Sequence, residues 1–176
     1  MRIIAGTYKR RFIHPPKNLP VRPTTDLARE SLFNILNNKI DWNGQKVLDL
    51  FSGTGAVSYE FISRGCQSVL AIDTNYQCVS FIKKTAAEFE MNTLKVMRSD
   101  VFRFIKGVKL SFDLVFADPP YDIDGLELLP DLIFENNVLS GNGIFILEHP
   151  RDYDFSDHPR FEEHRKYGKV NFTFFS

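Results

Sequence analysis

From Lys46 onward the chain alternates between short apolar runs and amphipathic stretches. Lys46–Phe51, Ser68–Asp73, Leu94–Ser99, Phe112–Asp118 and Gly143–Glu148 have strand length and are rich in Val, Leu, Ile and Phe. Between them, Ala56–Arg64, Tyr76–Met91, Val101–Lys106 and Leu126–Glu135 carry apolar residues at three- and four-residue intervals, the spacing of one buried helix face. Gly65 is placed as a C-terminal stop for the first of these helices. Strand and helix in regular alternation predict an α/β fold, an open and mostly parallel sheet with helices on both faces. The closing segment, Phe161–Tyr167 and Val170–Phe175 about Gly168-Lys169, predicts an antiparallel hairpin.

Ahead of Lys46 the rhythm differs. Residues 1–14 alternate in two pieces around Gly6-Thr7 and predict a small hairpin. Pro15, Pro16, Pro20 and Pro23 make the next stretch an extended connector. A helix follows, capped by Thr24 or Thr25, with Asp26 in its first turn and Leu27, Ala28, Leu32, Ile35 and Leu36 at helical spacing. The expected division is an extension over residues 1–39, without a core of its own, and one domain over residues 40–176.

The length of 176 residues, 43% hydrophobic and 25% charged, fits one globular domain and excludes a disordered chain. The longest apolar run, Gly143–Leu147, is far short of the about 20 residues a membrane span needs, and no secretory leader is evident, so the expected location is cytoplasmic. Cys66 and Cys78 form neither a disulfide framework nor a zinc site. His14, His149, His158 and His164 lack metal-ligand spacing and are expected at the surface or in turns, so no metal is predicted. A net charge of zero conceals an asymmetry: residues 1–39 hold eight basic and two acidic residues, net +6, against 14 and 20 in the remainder, net −6. Such a segment attracts a polyanion locally. Lys9, Arg10, Arg11 and Arg22 are the expected contacts to such a polyanion.

In open α/β sheets ligands bind at the carboxyl ends of the strands. Asp49 stands in the first strand just before Phe51-Ser52-Gly53-Thr54-Gly55, Asp73 ends the second, Asp100 follows the third, and Asp118-Pro119-Pro120-Tyr121 closes the fourth. Gly53 and Gly55 permit a tight turn and close approach of a ligand. A dinucleotide fingerprint would need a third small residue where Ser58 stands, and Asp49 would sit poorly beside a pyrophosphate. It suits a ligand ammonium. Asp73 can accept from both ribose hydroxyls, Asp100 from an adenine amino group, while Val101 and Phe51 flank the ligand. Ribose, adenine and an ammonium without phosphates describe S-adenosylmethionine. In the proline-stiffened loop, the Asp118 carboxylate and a backbone carbonyl such as that of Pro119 can hold the exocyclic amino group of a base, on which Tyr121 can stack.

These motifs resemble the class I S-adenosylmethionine-dependent methyltransferases, and the D-P-P-Y loop resembles members acting on base amino groups. Arg22-Pro23-Thr24-Thr25-Asp26, Arg29-Glu30-Ser31-Leu32-Phe33-Asn34, Ile3-Ile4-Ala5-Gly6 and Leu48–Ala56 narrow the resemblance to the bacterial 16S rRNA (guanine(966)-N(2))-methyltransferase family. It implies a Rossmann-like fold, methyl transfer to a guanine N2 in 16S rRNA or a small-subunit assembly particle, a monomer, catalytic roles for Asp118, Pro119 and Tyr121, and Thr24 and Thr25 closing over the cofactor. Ser52, Thr54, Val57 and Ser58 depart from the family's usual Ala, Ser, Leu and Gly, crowding the turn. Three other readings stay open: an adenine-N6 methyltransferase using the same loop, a nicotinamide-dependent oxidoreductase, and a non-catalytic RNA-binding module.

Overall fold

The computed structural model describes residues 1–19, 21 and 26–176. Among these, seven strands form one sheet: β1 (Lys46–Leu50), β2 (Ser68–Asp73), β3 (Leu94–Arg98), β4 (Phe112–Ala117), β5 (Leu139–His149), β6 (Phe161–Tyr167) and β7 (Val170–Phe175). Their spatial order is β3-β2-β1-β4-β5-β7-β6. β1 to β5 run parallel, and β7 and β6 close the sheet antiparallel. The chain travels outward from β1 to β3, then returns to build β4 and β5 on the other side of β1. The direction of winding therefore reverses between β1 and β4, and a crevice opens there at the strands' carboxyl ends.

Among the described residues five helices, α1 (Asp26–Leu36), α2 (Ala56–Ser63), α3 (Tyr76–Glu88), α4 (Val101–Gly107) and α5 (Leu129–Glu135), cover the two faces. Side chains of a strand alternate between faces, so β4 splits its residues. Leu114 and Phe116 join Phe33, Leu36, Phe61 and Ile82 on the α1–α2–α3 side. Val115 and Ala117 join Ile105, Leu129 and Ile133 on the α4–α5 side. Burial on both faces explains why the parallel strands read as nearly unbroken apolar runs. The architecture is Rossmann-like with an antiparallel C-terminal hairpin, as the sequence predicts.

Several boundaries differ from expectation. β5 begins at Leu139, four residues before Gly143, because Leu139 pairs with Phe112 ahead of an irregularity in the register. Gly143 fits there because a Cβ would lie 2.9 Å from the Leu139 side chain and 3.0 Å from the Phe112 carbonyl. The expected helix Leu126–Glu135 divides into a 3₁₀ turn at Leu126–Leu128 and α5, with Pro130 in the first turn of α5, where its missing N–H costs nothing. α3 stops at Glu88, since Glu90 turns left-handed with φ 56°.

The predicted N-terminal hairpin is a compact loop with a single antiparallel bridge, Arg2 to Phe12, among the described residues. Further bonds of the loop go to α2. The fully buried Glu60 accepts from the amides of Ile4 (2.9 Å) and Ala5 (3.0 Å), and Arg64 pairs with it at 2.9 Å. Ser63 donates to the Ala5 carbonyl and accepts from the Tyr8 amide, while its own carbonyl accepts from Thr7. Gly6, at φ 80°, lies so close that a Cβ would come within 1.7 Å of the Ser63 carbonyl oxygen. Residues 1–13 are thus held by a polar clasp on the helix that follows the glycine turn.

Candidate active site

β1 ends in the crevice with three residues in the left-handed region: Phe51 (φ 61°), Gly53 (φ 52°) and Gly55 (φ 78°). A phenylalanine at positive φ is uncommon and requires its surroundings to hold it. Gly55 leads into α2, and a Cβ there would meet Tyr59 and Ile82 at 2.9 Å. The turn is tied to β2 by Asp73, which accepts from the Gly53 amide and the Asn75 amide, both at 2.8 Å. Each oxygen keeps one acceptor site. Asp73, 8% exposed, therefore builds the turn as well as facing the crevice.

Asp49 lies beneath the turn, only 1% exposed, with Ser58 of α2 donating to its carboxylate. Burial pushes its carboxyl up to about 7, the neighbouring charges of Asp118 and Asp73 add to this, and the Ser58 hydrogen bond opposes it. Ser58, which reads in the sequence as a crowding substitution, is the hydrogen-bond partner of the most perturbed carboxylate in the site. Asp100 is exposed and caps α4 through the Arg103 amide (2.8 Å), with Val101 buried beside it.

Across the switch point, Leu50 pairs with Ala117, and the Asp118 amide contacts the Leu50 carbonyl at 3.4 Å. This register sets Asp118-Pro119-Pro120-Tyr121 beside the Phe51 turn. Asp118 is half-buried, Pro119 buried and Tyr121 42% exposed. The Tyr121 hydroxyl reaches Oε1 of Glu148 at 3.4 Å. Glu148, at the end of β5 and 5% exposed, is a fifth strand-end acid that the sequence reading missed, although its position obeys the same rule as the other four.

The family model described as Conserved hypothetical protein 95 matches residues 1–176. The chain belongs to this family. Ribosomal RNA small subunit methyltransferase D of Buchnera aphidicola subsp. Baizongia pistaciae is 34% identical over 149 residues, spanning 84% of this chain and 75% of that protein. The protein of the same name from Escherichia coli K12 is 30% identical over 148 residues, spanning 84% and 74%. The solved structure of a hypothetical protein from Thermus thermophilus superposes with a TM-score of 0.84 at 26% identity, covering 100% of this chain and 99% of that one. The family resemblance drawn from the sequence motifs therefore holds.

In this member of the Conserved hypothetical protein 95 family the expected RNA contacts are divided. Lys9 and Arg10 line a polar cleft of about 420 Å³ against α1, with Arg2, Glu30 and Arg64. Arg11 faces the other way, its guanidinium 5.5 Å from the Tyr8 ring centroid and 5.1 Å from that of Phe89. Thr24, Thr25 and Arg22 lie outside the described residues. His149, expected at the surface or in a turn, ends β5 fully buried, with Nε2 2.7 Å from the Thr173 hydroxyl. Its placement follows from β7 pairing against β5, which covers the strand end. Cys66 and Cys78 are buried, and desolvation raises their thiols to about 12 and about 11, which keeps them protonated and inert.

Proposed function

We propose that this chain transfers a methyl group from S-adenosylmethionine to the exocyclic N2 of a guanine in small-subunit rRNA. The observation that carries the reading is the register that sets Asp118-Pro119-Pro120-Tyr121 directly across the switch point from the Phe51–Gly55 turn. The substrate class is supported by relatives named for methylating small-subunit rRNA.

The residues at the turn fit the donor. Gly55 packs the turn tightly onto Tyr59 and Ile82 of the core, Asp73 keeps acceptor capacity for ribose hydroxyls, and Asp100 and Val101, which follow β3, would border an adenine. Asp49 is a buried carboxylate whose ionised form a nearby cation would favour. When bound, the donor supplies a methyl group on a positively charged sulfur. Thr24 and Thr25 would close over it, and the basic extension would help to hold RNA, as the family resemblance implies, through Lys9, Arg10 and Arg22.

The remaining chemistry belongs to the loop. An exocyclic amino nitrogen is a poor nucleophile because its lone pair is delocalised into the ring. The Asp118 carboxylate and the Pro119 carbonyl would accept its two N–H bonds, which localises the lone pair and stabilises positive charge as nitrogen bonds to the methyl carbon in exchange for that carbon's bond to sulfur, the electron pair of which stays on sulfur. The nitrogen then releases one proton toward Asp118. Tyr121 supplies a ring face for the base, held by its contact with Glu148. Base stacking of this kind contributes about 1–3 kcal/mol, comparable with the cost of extruding a base.

The test is Asp118→Ala, assayed with radiolabelled donor on small-subunit particles lacking the modification. Transfer is expected to fall by about 10²-fold or more, with donor affinity by calorimetry unchanged. Equal loss of both would contradict the assigned role. Nucleoside mass spectrometry of the wild-type product is expected to show N2-methylguanosine, and N6-methyladenosine would overturn the guanine assignment.

A further inference from the structure

Between the extension and α3 runs a groove of about 460 Å³ that has no part in the site described above. One wall is the extended segment around residues 12–14. Phe12 and His14, two residues apart, present the same face, with ring planes 13° from parallel and centroids 6.4 Å apart. The other wall begins at Tyr76, the first residue of α3. Phe12 is 61% exposed and Tyr76 is 66% exposed, so two large rings face solvent across one groove. Neither has a core role to explain it.

The electrostatics select the occupant. Lys84 lines the groove, and Lys83 is exposed next to it in α3. Residues 1–19 hold Arg2, Lys9, Arg10, Arg11 and Lys17 and no acid. Among the described residues Glu88 is the one acid lining the groove, at the end of α3 away from Tyr76. Arg2, Lys9 and Arg10 line the other cleft, but Lys17 is exposed between the lining residues Pro16 and Asn18, and exposed rings beside Lys84 and Lys17 suit a polyanion whose units carry flat apolar faces. Tyr76 follows by three residues Asp73, the residue that ties the glycine turn, so the groove starts at the edge of the crevice.

We propose that this groove seats unpaired nucleotides of the RNA substrate, with bases stacked on Phe12, His14 and Tyr76 and the backbone neutralised by Lys84 and Lys17. The proposal rests on the reading that the substrate is RNA. Paired RNA would not fit, because its bases present edges and not faces. The enzyme would thus hold a single-stranded segment beside its target base on rings that belong to no catalytic step.

The test uses the full chain and a fluorescein-labelled octauridylate, which has no guanine to methylate. Wild type is expected to bind it with salt-dependent affinity, more tightly than a duplex of equal length. Phe12→Ala with Tyr76→Ala is expected to weaken binding at least tenfold, while Phe12→Tyr with Tyr76→Trp restores it, since any ring face serves. Donor binding by calorimetry should be unchanged in all variants. Unaltered octamer affinity in the double alanine variant would overturn the proposal, as would preference for duplex. So would a photocrosslinker at position 12 that reaches protein and no RNA on small-subunit particles. Methyl transfer is scored separately. Transfer by wild type with ring-independent octamer binding sinks the groove alone, and ring-dependent binding without transfer sinks the activity alone.

Discussion

Asp49 and His149 are buried titratable groups at the ends of neighbouring parts of the sheet, and burial shifts them in opposite directions. His149 is held below its ordinary value, so the stability it contributes is present above about 6.5 and is lost as pH falls toward its folded value. Asp49 is raised from 3.8 to about 7, so the unfolded chain releases this proton first. Its folded form loses stability as pH rises from the unfolded value to about 7, and the loss is constant above that. Asp49→Asn removes only this contribution. Thermal or urea unfolding at pH 5 and pH 8 is expected to show the variant gaining on wild type by up to about 3 kcal/mol across that interval, at about 1.36 kcal/mol per pH unit. Ser58→Ala should widen the wild-type trend, because the hydroxyl is what restrains the shift. Parallel curves for wild type and Asp49→Asn would mean that the carboxylate ionises freely. The carboxylate proposed to favour the donor's cation thus costs the protein stability at neutral pH.

At the scale of elements, the clasp between the extension and α2 decides whether residues 1–13 are part of the fold. Glu60 carries both the Ile4 and Ala5 amides and Arg64. Glu60→Gln replaces one acceptor by a donor facing an N–H. Two hydrogen bonds to a charged acceptor are worth about 1.5–3 kcal/mol each, so exchange of the Ile4 and Ala5 amides should accelerate on the order of a hundredfold or more. Hydrogen exchange read by mass spectrometry should show this over residues 1–13 with β1 to β5 still protected, and protection unchanged at Ile4 would show that the clasp does not hold the loop. None of this is readable from local pattern. β6 and β7 match expectation to the residue because alternation and a two-residue turn are local signals. The strand-end acids Asp49, Asp73, Asp100 and Asp118 were legible because alternating elements imply a parallel sheet, and such a sheet gathers its strand ends. Ser58, Glu60 and the partners of Glu148 were not, because their bonds join residues 9, 55 and 27 positions apart. The four residues by which β5 starts earlier than expected were missed for a related reason: Ser140-Gly141-Asn142 has turn composition, and only the pairing of Leu139 with Phe112 draws it into the sheet.

For the molecule as a whole, zero net charge means that no long-range field draws it to RNA, so attraction must come from the +6 segment at residues 1–39. The fold divides that segment's cations, and the division has a measurable consequence. Lys9 and Arg10 sit in the polar cleft against α1, whereas Arg11 is packed over Tyr8 and Phe89. All three are exposed, but a cation already resting on two rings contributes to docking of the extension, and Lys9 and Arg10 in the cleft are the pair placed to displace counterions from phosphate. For single strands each phosphate contact contributes about 0.7 to the slope of log affinity against log salt. Lys9→Ala with Arg10→Ala should therefore flatten that slope by about 1.4 on small-subunit rRNA without altering thermal stability. Arg11→Ala should leave the slope nearly intact and lower stability through the lost ring contacts, each about 0.5–1 kcal/mol at an exposed site. An equal flattening by Arg11→Ala would mean that its guanidinium leaves the rings for RNA, and the two faces of the extension would then act as one.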